Sequence, residues 1–330
     1  AGAAGGVEWR QRLEEAAGNG NVEGVAELLE AIQVQVRDDA WNLVKYPSDW
    51  ALAVDEDTCR AIGVMQEVIS RGDEPMAGVF IRWCKGHSLP LHSLFLMALK
   101  HRSEQVALLM LQEMDEDDYV ALSSTDALHL AVEANMLHAT RVLIERVQLT
   151  ETFISAHYGL TPIQLSISKE RDELIALMLI RVWPAEGLLV KDRRGRSLLH
   201  RAAITKFLHV TGELLQRVPQ ELVDHVSNRR DGTALHVASS EGNEAIAMAI
   251  AERISDEALA LVNKYGDTAL HHAARSGMEA LMSMLIARMP PRVRDMVNND
   301  GYTAAMLAEE AGLEAARIFS PLVKAADCNG

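Results

Sequence analysis

Thr233-Ala-Leu-His-Val-Ala and Thr268-Ala-Leu-His-His-Ala spell almost the same hexapeptide 35 residues apart. Thr161-Pro-Ile-Gln-Leu-Ser is a third version, and weaker ones begin at Asp126 (Asp-Ala-Leu-His-Leu-Ala), Ser197 (Ser-Leu-Leu-His-Arg-Ala) and Thr303 (Thr-Ala-Ala-Met-Leu-Ala). The starting points 126, 161, 197, 233, 268 and 303 are separated by 35 or 36 residues. One such match would be weak; six in near-constant register are the mark of stacked units, each too small to bury its own core.

The hexapeptide has physical content beyond its spelling. Thr or Ser at its first position caps a helix, Pro162 fits the opening turn of one copy, and the small Ala lets neighbouring helices approach closely. Gly242, Gly277 and Gly312 each fall nine residues after a motif start, where the first helix must stop and the chain needs positive φ. A second helix follows, because Met278, Leu281, Met282, Leu285 and Met289 form an apolar stripe at helical spacing. Few aromatics, with Ala, Leu, Met and Val carrying the apolar content, favour the same all-helical reading.

The hexapeptide resembles the Thr-Pro-Leu-His-x-Ala signature of the ankyrin repeat family. The resemblance implies an all-α solenoid of helix-loop-helix units with hairpin-like loops. Continued backwards, the register reaches Ser93-Leu-Phe-Leu-Met-Ala and Ser48-Asp-Trp-Ala-Leu-Ala at irregular steps. At the front, Arg12-Leu-Glu-Glu-Ala-Ala-Gly-Asn-Gly-Asn-Val-Glu-Gly-Val-Ala-Glu-Leu-Leu reads as helix, tight turn, helix. About nine units in one domain spanning 1–330 are expected. They divide into an N-terminal repeat and linker (9–47), a degenerate repeat (48–92), a second degenerate repeat (93–125), regular repeats (126–318) and a tail (319–330). The period exceeds the usual one of about 33 residues. Segments such as Pro219-Gln-Glu-Leu-Val and Pro291-Arg-Val-Arg-Asp-Met-Val predict an extra short helical turn before each loop. Residues 73–90, with the apolar cluster Val79, Phe80, Ile81, Trp83 and Cys84, are expected to be an insertion packed on the side of the array.

Charge narrows the partner. The net charge is -15, and residues 1–125 hold 10 Lys+Arg against 21 Asp+Glu, leaving 22 against 26 in the remainder. Such a surface repels nucleic acid and anionic membrane. No apolar run approaches the roughly 20 residues that span a bilayer, and the start of the chain, Ala1–Gly6, reads as a Gly/Ala linker. Cys59, Cys84 and Cys328 lie too far apart for a CxxC pair, and their odd number suits a reducing compartment, so a cytoplasmic location is expected.

Catalysis and metal binding have weak support. His129, His200, His236 and His271 share the fourth motif position, so they form a ladder, one rung per unit, rather than converging on an ion. The resemblance implies that this His ties adjacent loops by hydrogen bonds. Neither a GxSxG elbow, a Cys-His arrangement nor a phosphate loop is present. The acidic clusters Asp55–Asp57 and Asp115–Asp118 lack calcium-loop spacing and read as solvated loops. No enzyme activity, cofactor or metal is expected.

The remaining signal lies at the loop tips, which the resemblance implies contact partners, together with the inner helices. They carry His157 and Tyr158, then Arg193, Arg194 and Arg196, then Arg229 and Arg230, then Lys264, Tyr265 and Asp267, then Tyr302. Arg forks pair carboxylates and phosphates, and Tyr supplies rigid contact area, so the row suits an acidic or phosphorylated segment of a partner protein. A monomeric scaffold or adaptor is the expected function. The alternatives are a secreted bacterial effector acting in the host cytoplasm, to which the Pro-rich linkers bear a loose likeness, and the regulatory subunit of an enzyme.

Overall fold

The computed structural model describes residues 2–32, 56–123, 125–147, 159–168, 172–227 and 231–312. Every element among them is helical, and pairing between extended segments is confined to single bridges, Val226 with Thr233 and Val297 with Thr303. The chain divides into two compact units, residues 1–150 and 151–330.

The first unit contains α1 (Gly2–Gly18) with α2 (Val22–Glu30), α3 (Glu56–Arg71) with α4 (Glu74–Gly86), and α5 (His92–Lys100) with α6 (Glu104–Glu113). The short α7 (Glu116–Ser123) follows, then α8 (Ala127–Glu133) with α9 (Leu137–Arg146). The first members α1, α3, α5 and α8 pack one on the next, and so do the second members α2, α4, α6 and α9. The result is two parallel layers of helices.

The second unit repeats the plan: α10 (Pro162–Ser166) with α11 (Glu173–Val182), α12 (Leu198–Thr205) with α13 (Leu208–Arg217), α15 (Ala234–Ser240) with α16 (Glu244–Arg253), and α18 (Ala269–Ser276) with α19 (Glu279–Arg288). A further first helix, α21 (Ala304–Glu310), closes the described part. The predicted extra turns before the loops are present as a 3-10 turn (Glu186–Leu189), α14 (Gln220–Val223), α17 (Asp256–Leu259) and α20 (Pro291–Arg294). Helices α12, α15, α18 and α21 form one layer and α11, α13, α16 and α19 the other. This is the layered helix-loop-helix array that the resemblance implies.

The layers hold together by apolar burial at repeat spacing. Ala202, Ala238 and Ala273 at the sixth motif position are fully buried, and their small side chains let successive first helices touch. The stripe Met278, Leu281, Met282, Leu285 and Met289 is buried between layers as its spacing predicts. Gly277 ends α18 at φ 72°, a left-handed conformation that would strain any side chain.

Polar groups stitch the second helices end to end. Helix termini leave backbone groups without partners inside the helix, and here the neighbouring repeat supplies them. Glu173 accepts from the amides of His209 and Val210 at the start of α13 (2.9 and 3.2 Å), and Glu244 accepts from Ala280 at the start of α19 (3.2 Å). At the other end Arg217 donates to the carbonyls of Ile180 and Trp183, the latter at 2.9 Å, and Arg288 donates to those of Ala251 and Ile254, the latter at 2.7 Å. Carboxylates at helix starts and guanidinium groups at helix ends also suit the helix dipole.

Two expectations need correction. Residues 73–90 are not an insertion on the side: α4 is the second helix of a pair, capped by Asp73, which accepts from Met76, and it packs between α2 and α6. Trp83 donates its indole N–H to the Leu29 carbonyl (3.0 Å) at the end of α2, the service that Arg217 performs elsewhere. The apolar cluster is therefore a repeat's own core stripe. The motif assigned to Ser48 lies outside the described residues, and the first helix described for this pair is α3. The acidic run 115–118 is not a solvated loop either. It starts α7, and buried Asp118 accepts from the amides of Leu91 and His92 (2.9 and 3.1 Å), capping α5 from a distance. The other acidic run, 55–57, has no described side chains.

Replacing Arg217 by Met removes two charge-assisted bonds from half-buried carbonyls and should lower unfolding free energy in urea by about 1–3 kcal/mol. Arg181→Met, which breaks a largely exposed pair with Glu213, should cost no more than about 1 kcal/mol.

Candidate functional site

Three described loop tips of the second unit are each built by one side chain five residues before the motif start. Asp192 accepts from the amides of Arg194 and Arg196 (2.9 and 3.0 Å), Asn263 from Tyr265 and Asp267 (2.8 and 3.1 Å), and Asn298 from Asp300 and Tyr302 (3.1 and 2.9 Å). A side-chain oxygen held by two nearby amides fixes a tight turn. Gly195, Gly266 and Gly301 complete these turns at positive φ. The sequence reading missed this position, although Asp or Asn recurs there in register.

His200, His236 and His271 each tie a first helix to the loop that follows it. His236 accepts at Nδ1 from the Thr233 amide (3.2 Å) and contacts the Thr233 hydroxyl (2.9 Å), while its Nε2 reaches the Leu261 carbonyl (3.1 Å). His271 repeats the pattern with Thr268 and the Tyr302 carbonyl (3.2 Å), and His200 with Ser197 and the Gly232 carbonyl (3.1 Å). A carbonyl can only accept, so Nε2 carries the proton and Nδ1 is bare. Gln164, at the same motif position, reproduces the first bond with its amide oxygen, accepting from Thr161 at 3.0 Å. The ladder is structural, as the resemblance implied.

Burial keeps these rings neutral. It lowers the pKa of His200 to about 4 and of His236 to about 3, and it lowers that of His271 as well. At the tip of Asp192, burial alone would raise the carboxyl, but the bonds and charge of Arg196 and the amide of Arg194 outweigh it and hold the group ionised.

The expected contact residues divide into two groups. Arg193, Arg194, Lys264, Tyr265 and Tyr302 lie at the tips with their side chains outward or half-exposed. The Arg193 guanidinium lies against Gly159 of the preceding tip, where a Cβ would meet it at 2.4 Å. Lys264 sits over the Tyr265 ring (4.3 Å). Arg196 and Asp267, by contrast, belong to the framework. Arg196 pairs with Asp192 (2.8 Å), and Asp267 is buried and accepts from Asn298 (2.7 Å). His157, Tyr158, Arg229 and Arg230 lie outside the described residues.

The last two tips are joined. Asn299 donates its amide to the Tyr265 carbonyl (2.9 Å) and its side-chain NH2 to the Lys264 carbonyl (3.1 Å). Around this joint Leu261, Val262, Tyr265, Val297, Tyr302 and Met306 are exposed. The tips thus present two kinds of surface, arginines at the 192–196 turn and apolar or aromatic groups at the 263–267 and 298–302 turns. Metal chemistry has no cluster of three or more His, Cys, Asp or Glu among the described residues. Cys84 is buried, which raises its pKa and suppresses the thiolate. No helix among the described residues is long and apolar enough to cross a membrane.

No protein-family model and no curated protein matches the chain significantly. Solved structures do resemble it. The ankyrin repeat protein EF0377 is 18% identical over 59% of this chain and 96% of its own, with a TM-score of 0.49. A chain from the complex of the predatory endopeptidase Bd0816 of Bdellovibrio bacteriovorus with the immunity protein Bd3460 is 22% identical over 60% of this chain and 98% of its own, with a TM-score of 0.47. The ankyrin repeat domain of Bcl-3, a member of the IkappaB family, is 18% identical over 74% of this chain and 92% of its own, with a TM-score of 0.45.

The histidine pKa values are lower in the folded chain than the ordinary value of about 6.5, so the unfolded chain binds more protons on acidification. Stability is fully present above about pH 6.5 and is lost progressively as pH falls toward the folded values. Urea midpoints should therefore decline from pH 7 to pH 5, and His236→Gln, which keeps one ladder bond without titrating, should flatten that decline.

Proposed function

We propose that the chain is a non-enzymatic scaffold or adaptor that holds a partner protein on the loop tips of its second unit. The observation that carries this reading is the division of labour within each tip. Asp192, Asn263 and Asn298 take the backbone amides, His236 and His271 hold the base of the last two described tips, and Arg193, Arg194, Tyr265 and Tyr302 are left facing solvent. Such a rigid, preorganised display limits the entropy lost on binding.

The partner segment that fits is acidic or phosphorylated where it meets Arg193 and Arg194, with Arg229 and Arg230 extending the basic run in sequence. Its apolar or aromatic residues would rest against Tyr265 and Tyr302. The chemistry does not favour an enzyme, because the ladder histidines are each committed to a cap and a carbonyl and are held neutral by burial. A monomer acting in the cytoplasm accords with this reading, with nucleic acid disfavoured by the net charge of -15.

A labelled acidic peptide carrying phosphoserine should bind the full chain with an affinity that falls as salt rises. The variant Arg193→Glu, Arg194→Glu, Arg229→Glu, Arg230→Glu should weaken it by at least about tenfold. Unchanged affinity and unchanged salt dependence would overturn the basic tips as the site.

A further inference from the structure

The first unit holds a groove of its own. In the second unit Arg217 and Arg288 close the gap between the ends of successive second helices by donating to the carbonyls of the helix before. Arg146 stands at the same register position, twenty residues after a motif start. Its work is done by another residue: the Tyr119 hydroxyl donates to the Leu111 carbonyl at 2.7 Å. Arg146 instead lies over the Tyr119 ring, 5.7 Å from its centre, and 3.6 Å from the exposed carboxylate of Glu116.

A groove of about 540 Å³ opens as a result between α6, α7 and α9. Its floor is apolar, formed by Leu108, Leu111, Met114 and Val142. Its rim carries three carboxylates, Asp115, Glu116 and Glu145, against the one guanidinium of Arg146. The α6 and α7 sides of the groove lie in the acidic part of the chain, where carboxylates outnumber basic side chains 21 to 10 over residues 1–125. The volume is that of a site for a few side chains, within the range of about 300–1,000 Å³ found for binding clefts.

We propose that this groove binds a basic amphipathic helix of a partner protein, its Leu-type side chains on the apolar floor and its Lys or Arg side chains among the rim carboxylates. The apolar floor supplies the contact that survives salt, and the net negative rim selects the sign of the partner's charge. An acidic segment is excluded by the same carboxylates. The groove therefore takes the opposite chemistry to the arginine-bearing tips, and its assignment does not depend on theirs.

The test uses three fluorescein-labelled helical probes of about twelve residues, each with one face spaced i, i+3, i+4, i+7. One pairs Lys with Leu, one Lys with Ser and one Glu with Leu. Titrated with the full chain at physiological salt, the Lys/Leu probe should saturate while the other two bind at least about tenfold more weakly. The variant Glu116→Lys, Glu145→Lys changes only exposed residues and should remove at least about tenfold of the Lys/Leu affinity. Arg193→Glu, Arg194→Glu should leave it unchanged. Absence of saturable Lys/Leu binding, equal binding of Lys/Ser, or indifference to the double charge reversal would overturn the proposal. The phosphoserine peptide reports on the tips separately, so either assignment can fail while the other stands.

Discussion

A neutral imidazole bridging a helix cap and the next loop's carbonyl is the interaction on which the second unit's surface depends. The ring takes the Thr amide at Nδ1 and gives its Nε2 proton to a carbonyl beyond the repeat boundary. One side chain thus satisfies groups in two consecutive repeats, and both would be costly to bury without partners. Substituting a group of the wrong length or protonation state would loosen the cap and the loop together.

The tips and the groove draw on the same economy of orphaned backbone groups. Where a side chain of the neighbouring repeat reaches a helix end, as Arg217 and Arg288 do, that end's carbonyls are bound by the next helix. A local substitute frees that side chain, as the Tyr119 hydroxyl does for Arg146, and a cleft opens. At the tips, Asp192 and its Asn counterparts absorb the turn amides, which leaves the intervening side chains for solvent or a partner. Surface chemistry in this chain is decided by which residue takes the backbone, and only afterwards by charge.

Much of this was legible in the sequence because it recurs. The hexapeptide register located the first helices, the glycines nine residues on marked where they stop, and the proline-led segments foretold the short turns before the loops. The histidines' spacing kept them a repeat apart and so off a common ion, while their structural role was what the family resemblance implied. Other features were periodic but unread: the Asp or Asn five residues before the motif, and the arginines at 146, 181, 217, 253 and 288. The Asp and Asn act on amides across a turn, and Arg217 and Arg288 on carbonyls of another repeat, partners that no local pattern displays. Residues 73–90 were misread because the step from the preceding motif is irregular, so a core stripe looked like an insertion. Asp118 was misread because nothing local in an acidic run says that one of its carboxylates faces the bare start of α5. Among the tip residues, Arg196 and Asp267 looked free for the same reason, their partners Asp192 and Asn298 being visible only once the turns are formed.

The imidazole nitrogens themselves give the most direct check. Nitrogen-15 NMR of the full chain at neutral pH should show His200, His236 and His271 as neutral rings with the proton on Nε2 and a bare Nδ1, those of His200 and His236 unchanged on acidification to pH 5.5. Rings that carry the proton on Nδ1, or that titrate near the ordinary histidine value of about 6.5, would contradict the ladder and with it the arrangement of the tips.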